Sequence, residues 1–352
     1  MLITIVAFVG VLVLLIIAHE LGHFATAKAF GVKVEEFGLG FPPRIVGFKR
    51  GETVYSLNWL PFGAFVKLLG EEDPKEPRSL ASKSRRVRVL VLSAGALMNI
   101  VLPVFLFAAA FMIPHPVLRE DVRIREVAVG SPAQAAGLAA GDTVLSINGQ
   151  PVTGRGDVGY IIRLNLGSQV TVAVRTAAGA EKQVVLATRW NPPPGQGATG
   201  IMVEGVNSQV VSESLPFWEA IPGGAVRSWE TFVLFRNEVI TWFTARAAPQ
   251  LTGPLGIAQM TGEVAQAGWS PLFEFTALIS INLGILNLFP FPGLDGGRLI
   301  FVVLEWLRRG KRISPKKEGL VHFIGFVTLL LLIAVVSYFD VVRLIQGGSL
   351  IP

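Results

Sequence analysis

Residues 18–24 read AHELGHF, directly after MLITIVAFVGVLVLLII at 1–17, a run without a charged side chain. His19 and His23 are four residues apart, so on a helix they lie on one face, about one turn from each other. Both imidazoles can then reach one metal ion, and Glu20 lies beside them to hold or deprotonate a metal-bound water. The alternative, two packed polar side chains on a helix, is disfavoured because ionisable residues in a spanning segment are costly without partners.

The composition indicates a membrane protein. The chain has 352 residues, of which 51% are hydrophobic and 16% are charged, and its mean hydropathy is +0.55. A soluble domain carries about 25% charged residues, so this chain must bury apolar surface in a lipid bilayer. It has no cysteines, which excludes disulfides and thiolate metal sites. Any metal must therefore be held by His, Asp or Glu.

Four apolar stretches reach the length that spans a bilayer, or come close to it with an interruption. They run from about Leu2 to Ala29, Val89 to Ile113, Leu272 to Leu307, and Leu320 to Phe339. We expect the first stretch to be retained as a helix, because it has neither a basic leading segment nor an A-x-A cleavage site.

Basic residues cluster between these stretches. Eleven Lys and Arg lie in residues 31–88, and six lie in RRGKRISPKK at 308–317. The positive-inside rule places both segments in the cytoplasm, so residues 114–271 and both termini are expected outside. Membrane topology thus accounts for the net charge of +6, and we expect no nucleic-acid partner.

The outside region contains a candidate binding domain. Residues 121–206 alternate short β-rich runs with Gly-rich turns. Within them, VGSPAQAAGLAAGDTVLSINGQPV at 129–152 resembles the PDZ-domain pattern, with SPA, AGL, GD and ING at matching offsets. A PDZ-like domain would bind peptide ends by adding a strand at an exposed sheet edge. The alternative is an unrelated small β-barrel.

Residues 217–245 follow this domain and predict an amphipathic helix. Their aromatic side chains recur at helical spacing, including Trp218, Trp229, Phe232 and Phe243. Such a face suits a membrane surface. The alternative left open is a helix packed on the PDZ-like domain.

A catalytic zinc ion has three protein ligands plus water, so a third ligand must come from elsewhere. Asp295 is the unusual acidic residue in apolar surroundings, within NLGILNLFPFPGLDGGRL at 282–299. Pro290 and Pro292 would break a helix there, and irregular backbone at membrane depth is tolerated only against protein or a water-filled cavity. Asp295 could instead cap the following helix, but beside an HExxH motif that lacks a ligand the metal interpretation is favoured.

The two motifs together resemble the site-2 protease family, and most closely its bacterial branch that includes the regulator of sigma-E protease. The second motif is N-x-x-P-x-P-x-x-D-G, realised as Asn287, Pro290, Pro292, Asp295 and Gly296. The resemblance implies a zinc metalloprotease of the bacterial inner membrane that cuts transmembrane segments of single-pass proteins, such as anti-sigma factors or signal-peptide remnants. It implies that Asp295 is the third Zn²⁺ ligand and that Asn287 contacts the substrate backbone.

The resemblance also implies a substrate-binding hairpin. IVGFKRGETVYSLNWLP at 45–61 predicts a β-hairpin that turns at residues 49–52, with Tyr55, Leu57 and Trp59 on one face. In the family this region is a membrane-associated hairpin whose edge pairs with an unwound substrate, so we expect these three residues to bind substrate. Ala64 and Phe65 depart from the Gly-Gly-Tyr-Val-Lys pattern common in this branch.

The expected fold is a membrane protein in which four transmembrane helices form a metalloprotease core, with a membrane-associated β-hairpin and an inserted extracytoplasmic PDZ-like domain. The expected segments are a first transmembrane helix at 1–30, the cytoplasmic-side hairpin loop at 31–88, a second helix at 89–113, the PDZ-like domain at 121–206, the surface helix at 217–245, a broken third helix at 272–307 and a fourth at 320–340.

The function expected from these patterns is metal-assisted peptide hydrolysis, with Glu20 as the general base. One alternative is a catalytically silent membrane scaffold that binds exposed peptide ends, but the intact HExxH motif argues against it. A metal transporter would need further intramembrane His, Asp or Glu. The spans offer His322 and Glu305, both near loop ends, where a solvated or interfacial role is expected.

Overall fold

The structure is a computed structural model that describes residues 1–71, 74–244 and 252–346. Residues 72–73 of the predicted hairpin loop and residue 245 of the predicted surface helix lie outside the described residues. The helices are α1 (Leu2–Ala29), α2 (Arg85–Met112), α3 (Pro132–Ala135), α4 (Arg155–Leu164), α5 (Phe217–Thr244), α6 (Pro254–Ala267), α7 (Trp269–Leu288), α8 (Asp295–Leu307) and α9 (Pro315–Ile345). The strands are β1 (Val34–Arg50), β2 (Thr53–Leu68), β3 (His115–Val127), β4 (Thr143–Ile147), β5 (Gln150–Pro151), β6 (Gln169–Arg175), β7 (Glu181–Ala187) and β8 (Ile201–Glu213).

The chain forms two compact units. The helical unit comprises residues 1–110, 220–228 and 250–352, and the strand-rich unit comprises residues 111–219 and 229–249.

Four helices of the described residues, α1, α2, α7 and α9, are long and apolar enough to cross a membrane. In α1 and α9, only 11% and 6% of the most apolar window is buried inside the protein. Apolar side chains that protein does not cover are stable in the lipid of a bilayer. A helix tolerates this environment because its backbone groups are already paired with one another.

The third apolar run is divided where its prolines and glycines stand, since α7 ends at Leu288 and α8 begins at Asp295. The connecting loop folds back closely onto the first turn of α8. A Cβ atom on Gly296 would lie 2.1 Å from the carbonyl oxygen of Phe289, and one on Gly297 would lie 2.3 Å from that of Phe291. Only glycine permits this approach, so the two glycines fix where the loop delivers Asp295.

Ion pairs at both ends anchor α8. Glu305 is only 6% exposed and pairs with Arg88 of α2, so its carboxylate is paired inside the protein and is not solvated; the interfacial role expected as the other possibility stays a prediction. Nearer the start of the helix, Nη1 of Arg298 lies 2.6 Å from Oε2 of Glu71, just beyond β2. The Glu305 carboxylate also lies 3.7 Å from Nε of Arg85 in α2 and 3.3 Å from Nε of Arg312, so Glu305 is held to α2 by two arginines.

The hairpin extends beyond the predicted residues 45–61, since its strands span Val34–Arg50 and Thr53–Leu68. β1 and β2 are antiparallel and bend on themselves, so that Phe37 pairs with both Tyr55 and Val66. Four paired segments result, in the spatial order 64–68, 34–39, 54–57 and 46–50. The outer two segments are the edges of this sheet, whereas Tyr55 and Leu57 lie on an interior segment.

The hairpin turn is tied to α1 by charge. Oε1 of Glu52 accepts a hydrogen bond of 2.9 Å from Nζ of Lys28, and both of its carboxylate oxygens accept from Arg78. The hydrogen bonds from the Arg78 guanidinium, and then from Lys28, lower the pKa of the Glu52 carboxyl to about 2. The carboxylate therefore stays ionised, and the tether persists, well below neutral pH.

The strand-rich unit is an antiparallel sheet in the order β7-β6-β4-β3-β8, with the short β5 paired to β4. Its core consists of strand side chains packed against Val158, Ile161 and Ile162 of α4; the strand residues include Val122, Ile124, Val144, Ile147, Val172 and Val174. β8 lies at one edge and pairs only with β3 among the described strands. A free edge of this kind is where an extended peptide can add a strand.

The segments on either side of the predicted domain, 114–120 and 207–216, are not single connecting strands. β3 and β8 pair from His115 with Glu213 up to Arg119 with Gln209, ahead of the sheet core. They form a two-stranded ribbon, so the paired structure extends beyond the expected limits of 121–206.

The helix α5 contacts the strand-rich unit and also carries exposed aromatic side chains. Towards the strand-rich unit, Nδ2 of Asn237 donates to the carbonyl oxygens of Arg163 and Leu164, at 2.7 and 3.2 Å, and so satisfies the end of α4. Elsewhere on the helix, Trp218 is 72% exposed and Trp229 is 65% exposed. The helix therefore packs on the strand-rich unit, which was the alternative interpretation, and its expected location at a membrane surface stays a prediction.

Candidate metal centre

The two histidines of α1 lie where this helix packs directly on α2. Gly22 makes the contact possible, because a Cβ atom there would lie 2.4 Å from the carbonyl oxygen of Ala94. Gly95 provides the space for both rings: its Cβ would lie 2.3 Å from Nε2 of His23 and 2.7 Å from Cε1 of His19. The side chains of His19 and His23 are 13% and 12% exposed.

Three possible ligand atoms converge beside α2. Nε2 of His19 and Nε2 of His23 each lie 3.2 Å from Oδ2 of Asp295, and the two nitrogens lie 3.2 Å from each other. A tetrahedral zinc ion with bonds of about 2.0–2.2 Å separates its ligand atoms by about 3.3–3.6 Å. The triangle therefore fits three corners of a zinc tetrahedron and leaves the fourth corner for water or substrate.

The hydrogen bonding of His23 suits a metal ligand. Its Nδ1 lies 2.8 Å from the carbonyl oxygen of Val91. A carbonyl oxygen only accepts, so Nδ1 carries the proton and Nε2 presents a lone pair towards the other two ligand atoms. Such an outer hydrogen bond fixes the tautomer and the ring orientation of a metal-binding histidine.

His19 meets two asparagines at its outer nitrogen. Nδ2 of Asn99 and Nδ2 of Asn287 each lie 3.5 Å from its Nδ1. Asn99 is fully buried, and its Oδ1 has no hydrogen-bond partner among the described residues. A half-turn of the Asn99 amide would present this oxygen to a protonated Nδ1, which is what a histidine that binds metal through Nε2 requires.

Asp295 does not cap α8. The N-cap position is Leu294, without a side-chain cap hydrogen bond, and Asp295 is the first helical residue. Its carboxylate lies towards the histidines and is 19% exposed. The position of Asp295 thus excludes the capping alternative and places its carboxylate where a third metal ligand is needed.

Glu20 lies beside the three ligand atoms without being one of them. The backbone of Val66 in β2 lies close enough to the Glu20 carboxylate to interact with it electrostatically. Val66 belongs to the edge segment 64–68 of the hairpin sheet, so one edge of that sheet lies at the metal centre.

The structure places the expected substrate-binding residues in two locations. Asn287 lies at the centre, next to His19. Leu57 and Trp59 are 44% and 68% exposed on the hairpin sheet, and Tyr55 packs its ring between those of Phe24, Phe37 and Phe48. None of these three forms hydrogen bonds to the histidines or Asp295 within the described part of the chain.

Sequence reasoning missed Gly95, Asn99 and Val66. The signal for the first two was present in VLSAGALMNI at 91–100, where an asparagine stands in an apolar run four residues after a glycine. An amide in a spanning helix needs a partner, as Asp295 did. Val66 acts through its backbone, which leaves no trace in the side-chain pattern.

Two imidazoles and a carboxylate in a zinc-sized triangle, with a glutamate beside them in an apolar helix, define a metal-dependent hydrolase site in a membrane protein. The chain belongs to Peptidase family M50, whose profile matches residues 7–332. The predicted site-2 protease family is thereby confirmed.

Curated relatives match over nearly their whole length. A protein of Clostridium acetobutylicum with a provisional zinc-metalloprotease name is 36% identical over 341 residues, covering 97% of this chain and 96% of the relative. The zinc metalloprotease RasP of Oceanobacillus iheyensis is 28% identical over 429 aligned positions, covering 97% and 99%. The chain is therefore a zinc metalloprotease and a multi-pass membrane protein, as predicted.

Among the solved structures that match part of the chain is the PDZ domain of an SdrC-like protein from Listeria monocytogenes. It shares 21% identity, covers 24% of this chain and 87% of its own, and has a TM-score of 0.21. This score does not assign a fold, so the PDZ-like domain stays a prediction.

The position of Gly95 gives a direct test of the centre. Gly95→Ala should displace one or both histidine rings and so lower zinc affinity and peptide cleavage by at least about tenfold. Zinc affinity can be measured by chelator competition on the detergent-purified protein. The matched control is Gly10→Ala, also in a spanning helix, because a Cβ there meets nothing within 4 Å. Equal zinc affinity in the two variants would contradict the placement of the rings over Gly95.

Proposed function

We propose that this zinc metalloprotease cuts peptide bonds within transmembrane segments of single-pass membrane proteins. The observation that carries the proposal is the 3.2 Å triangle formed by His19, His23 and Asp295, two of whose members lie in an apolar spanning helix. A site at this depth serves a substrate that is itself in the bilayer. The resemblance of the motifs suggests anti-sigma factors or signal-peptide remnants as substrates.

In this proposal His19, His23 and Asp295 hold the zinc ion. When bound, zinc polarises the scissile carbonyl and lowers the pKa of its water. Glu20 takes the proton from that water and passes it to the leaving amine. The hydrogen bond that Val91 accepts from His23 keeps its Nε2 directed to the ion, and Asn99 with its amide turned would accept from Nδ1 of His19 and do the same for that ring.

The hairpin sheet would present the substrate. A helical segment has its backbone groups paired internally, so it must unwind before a peptide bond is accessible, and the freed groups need new partners. No strand of the described residues pairs with the outer side of the edge segment 64–68, and Val66 of this segment lies beside Glu20. Asn287 would hold the substrate backbone near the ion, and the side chains of Leu57 and Trp59 would contact the segment before it unwinds.

In this proposal Tyr55 supports the hairpin sheet, whereas the sequence predicted that it binds substrate. Its segment is paired on both sides, so its backbone cannot pair with a substrate. Its ring supports the exposed face of the sheet by packing on Phe24 and Phe37. We therefore assign substrate pairing to the 64–68 edge.

The proposed orientation follows the positive-inside rule. The basic segments 31–88 and 308–317 lie in the cytoplasm, and both termini and the strand-rich unit lie outside. The free edge of β8 would bind peptide ends that have been exposed by an earlier cut. A substrate that still carries a folded outside domain would meet the strand-rich unit on the same side of the bilayer.

Replacing Glu20 separates catalysis from metal binding. Glu20→Gln should abolish cleavage of a model single-pass peptide, to below about 1% of the native rate, while zinc stays bound, because Glu20 acts on the water and does not ligate the ion. Zinc content and cleavage are measured on the same purified sample. An active Glu20→Gln enzyme would remove the mechanism, and a native enzyme that binds zinc yet cuts no peptide would favour the scaffold alternative.

Removing the strand-rich insertion tests its role in substrate selection. Deleting residues 121–206 with a short linker leaves the ribbon from His115–Glu213 to Arg119–Gln209 paired. Cleavage is compared for two substrates that share one transmembrane segment, with and without a folded outside domain. We expect the deletion to raise cleavage of the untrimmed substrate while cleavage of the trimmed one is retained. A deletion variant that discriminates as strongly as the intact enzyme would refute this role.

A further inference from the structure

The loop that leads to Asp295 rests on α9. A Cβ atom on Gly325 of α9 would lie 2.0 Å from the carbonyl oxygen of Pro292, and one on Gly293 would lie 2.9 Å from the backbone nitrogen of Phe326. Gly293 also has a φ of +97°, which L side chains rarely adopt. Glycines on both surfaces therefore bring the loop into backbone contact with α9, two residues before Asp295.

His322 makes the polar contact at this surface. The backbone N–H of Gly293 donates to its Nδ1 at 3.1 Å. Since Nδ1 accepts, the proton lies on Nε2, and Nε2 is buried without a hydrogen-bond partner among the described residues. The ring also packs on Phe301 of α8, with centroids 5.3 Å apart. His322 is thus oriented by its contacts with the loop and α8 and is partly buried, so its ring is not fully solvated, and the interfacial role stays a prediction.

A comparison with leucine indicates that the imidazole of His322 has a specific role. Burying a donor without a partner is costly, and a leucine would fill this space without that cost. Unlike leucine, the imidazole provides a hydrogen-bond acceptor for the N–H of Gly293, which has no partner within the loop. Other loop amides are paired within the loop, such as Leu294 N–H with the carbonyl oxygen of Phe291 at 3.2 Å.

We propose that His322 is a positioning residue for Asp295: by holding Gly293, it keeps the Asp295 carboxylate at the distance from His19 and His23 that a zinc ion requires. This inference rests on the proposed function, in which Asp295 is a ligand. Metal centres tolerate ligand displacements of only about 0.5 Å, and a loop released at Gly293 can shift Asp295 by that amount.

The test uses three substitutions that differ in where they place an acceptor. His322→Asn puts an amide oxygen near the position of Nδ1, His322→Gln puts it near the position of Nε2, and His322→Leu has none. We expect His322→Leu and His322→Gln to lose zinc affinity by about 10–100-fold in chelator competition on the full-length protein. His322→Asn should stay within about threefold of the native affinity.

Hydrogen–deuterium exchange of the metal-free protein provides a readout that does not depend on zinc. Peptides covering residues 289–297 should exchange faster in His322→Leu and His322→Gln, and at the native rate in His322→Asn. If all three variants lose zinc affinity equally, or if His322→Leu keeps it, the positioning role is wrong.

An Asp295→Ala arm separates this inference from the proposed function. If Asp295→Ala keeps its zinc, the ligand assignment fails, whatever His322 does. If Asp295→Ala loses zinc while His322→Leu keeps it, the ligand assignment stands and only the positioning role is refuted. Loss of zinc in Asp295→Ala, His322→Leu and His322→Gln, with retention in His322→Asn, supports both.

Discussion

Three side-chain atoms, Nε2 of His19, Nε2 of His23 and Oδ2 of Asp295, lie 3.2 Å from one another in a protein whose neighbouring helices are built for lipid. Away from water, each of these groups would be costly without a partner. A zinc ion satisfies all three together, and the outer nitrogen of His23 is satisfied by Val91. The positions of α1, α2 and α8 are all constrained by this one convergence.

Glycine makes the convergence sterically possible. Gly22 and Gly95 let α1 and its histidines approach α2, and Gly296 and Gly297 let the loop before α8 fold back on itself. Charge then fixes the arrangement, because the buried pair of Glu305 with Arg88 holds α8 to the helix on which the histidines rest. The metal centre is therefore held by close backbone contacts and by an ion pair ten residues beyond Asp295.

Much of this could be predicted from the sequence, for definite physical reasons. HELGH identifies both histidines as candidate metal ligands because helical periodicity places them on one face. Asp295 is a candidate third ligand because a carboxylate in an apolar run needs a partner. The folding of β1 and β2 into four segments could not be predicted, because bends within long strands depend on tertiary packing. The roles of Val66 and His322 were not predictable either, since they depend on backbone groups that meet only in the folded chain.

X-ray absorption at the zinc edge of the native, zinc-loaded protein tests the central claim most directly, because it counts the imidazoles around the ion. The account predicts a four-coordinate shell of nitrogen and oxygen at about 2.0–2.2 Å with two imidazoles, falling to one imidazole in any His19→Ala protein that still binds zinc. A shell with three or more imidazoles, or with none, would contradict the assignment of His19, His23 and Asp295 as the ligands.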